Sequence, residues 1–133
     1  MENMMKAMKI KLKTIRDNYV INQVEKAEIP TFEQDKICRY RVTFSGRVQK
    51  VGFRLEVCEL AKRLELTGYC RNLENGDVET EIQGPKNKIK YLVSFMESLV
   101  RIKVTKRKVE KMEVTHDERE FEKLKSGSIN KDE

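Results

Sequence analysis

The sequence predicts an α+β sandwich, an antiparallel sheet with two helices on one face, and three observations carry that expectation. Residues 39–45, RYRVTFS, alternate strictly: Tyr40, Val42 and Phe44 point one way, Arg39, Arg41 and Thr43 the other. That is the period-two signature of a strand with one buried face. Phe53, Val57, Cys58, Leu60, Ala61 and Leu64 then recur at the spacing of one helical stripe. Finally, Asn75-Gly76 joins TGYCRNL to a run in which Val78, Thr80 and Ile82 alternate with Asp77, Glu79 and Glu81. Asn-Gly is the strongest short hairpin signal, because both residues tolerate the positive φ of a type I′ turn.

The remaining elements follow in order. Gly84-Pro85 stops the third strand, and proline suits the first turn of a helix, where its missing N–H is not needed. Ile89, Leu92, Val93, Met96 and Val100 supply the second helical stripe. Residues 102–114 form a less regular fourth strand, with Val104 and Val109 on opposite parities, which predicts a bulge or break. Phe121 and Leu124 suit a short last strand. The order is β-α-β-β-α-β, two interlocked βαβ units, which is the ferredoxin-like topology. First and third strands are then antiparallel neighbours, and Arg39 and Arg41 face the acids of the third strand, each good pair contributing about 0.2–1 kcal/mol. The domain is placed at residues 37–124, and 125–133 are expected to be a disordered tail. Residues 1–36 form an N-terminal extension, either a hairpin around Asp17-Asn18 or an amphipathic helix, with Pro30 marking a linker.

Length and composition bound the function. A chain of 133 residues suits one domain with a real core. No apolar run approaches the ~20 residues of a membrane span, and the charged start MENMMKAMKIKLK argues against a secretory signal. Cys38, Cys58 and Cys70 are odd in number and lack metal-ligand spacing, which favours reduced thiols in a cytoplasmic protein. The net charge of +6 is diffuse: residues 1–36 carry 7 basic and 6 acidic side chains, and residues 37–133 carry 21 and 16. One cluster stands out, residues 101–111, with six basic residues and one acid. Ferredoxin-like sheets also serve RNA recognition, through aromatics on the open sheet face. Here Tyr40 and Phe44 share the face of Val42, so nucleic acid is the weaker reading.

The chemistry concentrates in residues 46–54, GRVQKVGFR, between the first strand and the first helix of the domain. A short strand-to-helix loop turns successive N–H groups inward, and the helix start adds unsatisfied donors and a positive dipole end. Such a concavity holds a tetrahedral anion. Glycine lets the backbone approach the ligand closely, and an arginine on the first helical turn can grip two oxygens with its planar fork.

GRVQKVGFR closely resembles the GxVQGVxFR signature of the acylphosphatase family. GYCRNLENGDVE at 68–79 is similar to the family's second signature, and QGP at 83–85 also matches. The resemblance covers roughly residues 38 to 122 and implies the ferredoxin-like fold and hydrolysis of acyl phosphates to a carboxylate and inorganic phosphate. It implies that Arg54 is the catalytic, phosphate-binding arginine and that Asn72 positions the attacking water. Val48, Gln49, Lys50, Val51 and Gly52 correspond to the phosphate loop, which Phe53 and Arg54 complete. Neither metal nor cofactor is implied, and the partner is a small-molecule acyl phosphate or inorganic phosphate. A protein partner could dock through residues 1–36.

The family pattern is broken at Lys50, where glycine is usual, and at Tyr69, where tryptophan is usual. If position 50 needs φ > 0, lysine costs about 1–2 kcal/mol. Two outcomes stay open: a tolerated lysine that adds a cation to the site, or a distorted cradle in a weakly active or inactive anion-binding module. Tyr69 reads as packing. Arg47 and Gln49 read as loop surface apart from their backbone, and the single histidine, His116, as exposed and not catalytic.

Overall fold

The computed structural model describes residues 2–125 of the chain. Its sheet is built on β1 (Ile37–Arg47), where the alternation buries Val42 and Phe44 and half-buries Tyr40 on one face. β1 pairs antiparallel with β3 (Val78–Pro85) on one side and with β4 (Lys103–Met112) on the other. β2 (Thr67–Asn72) pairs antiparallel with β3, and β5 (Phe121–Lys123) runs parallel to β2 at the edge. The order is β4-β1-β3-β2-β5, the ferredoxin-like arrangement with a short fifth strand. The helices α2 (Phe53–Arg63) and α3 (Lys86–Ser98) cover the apolar face, burying Phe53, Val57 and Leu60 from one and Ile89, Leu92 and Met96 from the other. Each such side chain contributes about 1.5–3 kcal/mol by leaving water.

Three local outcomes refine the sequence reading. The 72–78 hairpin forms, but only Gly76 takes a positive φ, 96°, and Asn75 does not. Gly76 N–H donates to Leu73 O (3.2 Å) and Leu73 N–H to Asp77 O (2.8 Å), a type I turn followed by a left-handed glycine. Asn75 Oδ1 accepts from Asp77 N–H at 3.0 Å, and this local bond selects the turn over type I′. The expected bulge lies between Ser45, which pairs with Lys106, and Gly46, which pairs with Val104, so Thr105 is the extra residue. Val100, placed in the second helical stripe by its spacing, is fully exposed, because the chain turns extended at Leu99 (ψ 130°).

The N-terminal extension is α1 (Glu2–Lys26), and the hairpin alternative is excluded. Asp17-Asn18 lacks the glycine a tight turn wants, whereas Val20 and Val24, one helical turn apart, both bury against the domain. Arg63 of α2 reaches across to the carbonyls of Val24 and, at 2.7 Å, Ala27. Residues 3–15 of the helix are exposed all round. The segment 27–36 is docked: Phe32 packs edge-on against Tyr91, centroids 5.5 Å apart, and Asp35 Oδ2 accepts from Asn87 N–H at 2.9 Å, capping α3.

The opposite sheet face is closed by charge. Glu81 sits directly across from Arg41, to which it bonds at 2.9 Å. Arg39, buried, reaches Glu81 at 2.8 Å and Glu118 at 2.8 Å, and Tyr69 Oη donates to Glu81 at 2.7 Å. Tyr69 therefore packs and hydrogen-bonds on this face. Burial and the Glu81 hydrogen bond push its hydroxyl far above its ordinary range. Cys38, Cys58 and Cys70 are buried and unpaired, and burial raises the thiols of Cys58 and Cys70. His116 is exposed. Among the described residues, no helix is long and apolar enough to cross a membrane. Of the tail expected at 125–133, residues 126–133 lie outside the described residues.

Candidate functional site

The loop after β1 is left-handed at two positions. Lys50 has φ 63° and Gly52 has φ 81°, so residue 50 does require the conformation that glycine adopts without cost. Gly52 is also the N-cap of α2, and it closes the helix by accepting from Glu56 N–H at 3.0 Å. A Cβ on Gly52 would meet Val20 Cγ2 at 3.0 Å and Arg16 Nε at 3.4 Å, both from α1. Among the described residues, no carbonyl or side chain takes the N–H groups of Val48 to Phe53. Unengaged donors at a helix N-terminus make an anion-binding concavity.

Two side chains hold the loop in this shape. Gln49 Nε2 donates to Leu73 O and Asp77 O, each at 2.8 Å, fastening the loop to the β2–β3 turn. Gln49 is thus a half-buried clamp, where the sequence suggested loop surface. Arg101 grips the back of the loop, its Nε donating to Val51 O at 2.6 Å. The same guanidinium pairs with Glu56, donates to Gln23 Oε1 at 3.3 Å and lies 5.9 Å from the Tyr19 ring centre. Glu56 is buried on α2. Burial raises its carboxyl above the ordinary range, against the lowering pull of Arg101. Arg47 is exposed, as the sequence suggested.

The loop opens onto a cavity of about 320 Å³. Of the residues singled out in the sequence, Val48, Gln49, Lys50, Gly52, Phe53, Arg54 and Asn72 all line it. Val51 does not: it is buried and turns its carbonyl to Arg101. Arg54 Nη1 donates to Leu124 O at 2.6 Å, which orients the guanidinium and leaves Nε and Nη2 without a protein partner among the described residues. Asn72 is the last residue of β2, and pairing with Val78 fixes its backbone beside the loop.

The cavity also has walls the sequence did not announce. Lys13 and Arg16 come from α1 and Lys123 from β5. Nothing in their local sequence marks them, because only docking of α1 on the loop brings them in. The arrangement is strongly cationic and can bind and orient a phosphoryl group. Among the described residues, no group of three or more His, Cys, Asp or Glu side chains is gathered to hold a metal ion.

Comparison with known proteins shows what the chain is similar to. The family model described as Acylphosphatase matches residues 40–125. An acylphosphatase of Geobacillus thermodenitrificans is 34% identical over 92 residues, 68% of this chain and 98% of that protein. One from Clostridium beijerinckii is 50% identical over 56 residues, 42% of this chain and 62% of its own length. The crystal structure of acylphosphatase from Bacillus subtilis superimposes with a TM-score of 0.61 at 30% identity, covering 67% of this chain and 99% of that one.

Proposed function

The chain belongs to the acylphosphatase family, and from that premise we propose that it hydrolyses acyl phosphates to a carboxylate and inorganic phosphate. The loop N–H groups of Val48 to Phe53 and the Arg54 guanidinium would hold the phosphoryl oxygens, while the Asn72 amide would hold a water in line with the scissile bond. Water oxygen attacks phosphorus as the phosphorus–acyl oxygen bond breaks, and the bonding pair leaves on the carboxylate. A water proton passes to a phosphoryl oxygen, giving inorganic phosphate. The carboxylate is a good leaving group, so orientation and charge stabilisation suffice. Asn72 offers one acceptor and two donors, which suits orienting a water and excludes a role as base at neutral pH.

The observation that supports this reading is the convergence of Arg54, Asn72 and the unengaged loop amides on one cavity. Release of phosphate from a simple aryl acyl phosphate tests it. Arg54→Ala is expected to lower kcat/KM at least ~100-fold and Asn72→Ala by a similar factor, with the fold intact by circular dichroism. Wild-type turnover in both variants would overturn the assignment. A second reading, an anion-binding module of weak activity, is supported by Lys50 standing at φ 63° where glycine is usual. Phosphate binding without hydrolysis by the wild type would select it.

A further inference from the structure

We infer that α1 adds a second anion subsite to this cavity, so that the preferred ligand carries another negative group beside its phosphoryl group. The inference rests on the phosphoryl reading of the loop and Arg54.

Lys13 and Arg16 lie three residues apart on α1 and therefore on one helical face, and both line the cavity. That face is held at the mouth of the site. Val20 is buried, a Cβ on Gly52 would meet Val20 Cγ2 at 3.0 Å and Arg16 Nε at 3.4 Å, and Arg101 joins Gln23 of α1 to the loop carbonyl of Val51. Both cations lie N-terminal to the family-matched residues 40–125 and so supplement that module.

Charge then points to the ligand. Among the described residues, the cavity is lined by Lys13, Arg16, Lys50, Arg54 and Lys123 and by no carboxylate. Arg16 is partly neutralised by Asp17, at 2.9 Å. Lys13, Lys50 and Lys123 have no ion-pair partner among the described residues. Arg54 and the loop amides already supply what one phosphoryl group needs. The surplus is matched by a carboxylate or second phosphate on the acyl portion, for which a cavity of about 320 Å³ has room.

The test compares paired probes in wild type, the double variant Lys13→Ala/Arg16→Ala, and Arg54→Ala. Turnover is measured with acetyl phosphate and with succinyl phosphate, which adds a carboxylate. Calorimetry compares inorganic phosphate with pyrophosphate, a readout that does not need activity. Wild type is expected to prefer the two-anion member of each pair, and the double variant to lose about ten-fold of that preference. If wild type turns over neither acyl phosphate, the calorimetric ratio decides. A preference that is absent in wild type, or unchanged within about two-fold in the double variant, overturns the inference alone. Wild-type phosphate affinity in Arg54→Ala overturns the phosphoryl reading and the inference with it.

Discussion

Lys50 shows how much one backbone angle decides. At φ 63° an L side chain crowds its own carbonyl, at a cost of about 1–2 kcal/mol that glycine would not incur. The strain is tolerated because Gln49 on one side and Gly52 on the other are anchored, to the β2–β3 turn and to α2. Lys50→Gly is expected to raise the free energy of unfolding in urea by about 1 kcal/mol, after allowing for the added freedom of the unfolded chain. Phosphate affinity should change as well, since the loop relaxes and one cavity-lining ammonium is lost. Stability and affinity both equal to wild type would show that residue 50 is unstrained. Glu65 meets the same demand at φ 59°, just past the end of α2, where Leu66 N–H donates to Ala61 O at 2.8 Å.

At the scale of elements, Arg101 is the joint. From the turn after α3 it meets Tyr19 and Gln23 of α1, the Val51 carbonyl of the loop and the buried carboxylate of Glu56 on α2. Glu56 Oε2 has no hydrogen-bond partner among the described residues, so the guanidinium is its principal compensation. Arg101→Ala would leave that acid buried and unpaired and is expected to destabilise the protein by about 3–5 kcal/mol in chemical denaturation. Adding Glu56→Gln should recover part of the loss. Burial holds the Glu56 carboxyl above its ordinary value of 4.5 while Arg101 pulls it down, so removing Arg101 raises it further. The deficit of Arg101→Ala should therefore grow as pH rises past the wild-type folded value, where wild type has released the proton and the variant still keeps it. A pH-independent deficit, or one below about 1 kcal/mol, would remove Arg101 from this role.

Across the whole molecule, the two sheet faces use different physics. One is apolar and covered by α2 and α3. The other is a network of Arg39, Arg41, Tyr69, Glu81 and Glu118. Burial pushes the Glu81 carboxyl up, but hydrogen bonds from Tyr69, Arg39 and Arg41 outweigh it and hold the group below its ordinary value of 4.5. A lowered carboxyl binds fewer protons folded than unfolded. Its contribution is therefore complete above pH 4.5 and is lost as acid titrates through the folded value. Wild type is expected to lose stability steadily below pH 4.5, and Glu81→Gln, though weaker at pH 7, to lose less over the same range. Parallel denaturation curves for the two proteins would exclude Glu81 as a source of acid sensitivity.

Much of this was legible in the chain, because periodicity and turn chemistry are local. Tyr40, Val42 and Phe44 alternate, Asn75-Gly76 turns, Val104 and Val109 disagree in parity, and each feature appears where the sequence put it. The motif residues Arg54 and Asn72 were legible through the resemblance of their strings to the family's two signatures, and a helix start and a strand end carry both to the cavity. What no window of sequence could decide was contact between distant segments. That Lys13 and Arg16 wall the site, that Gln49 clamps a turn 24 residues away, and that Arg101 leaves the basic run of residues 101–111 to hold the loop all depend on how elements pack. Burial and partner choice are properties of the assembled fold, so the chemistry of those side chains was settled only when α1, the loop and α2 came together.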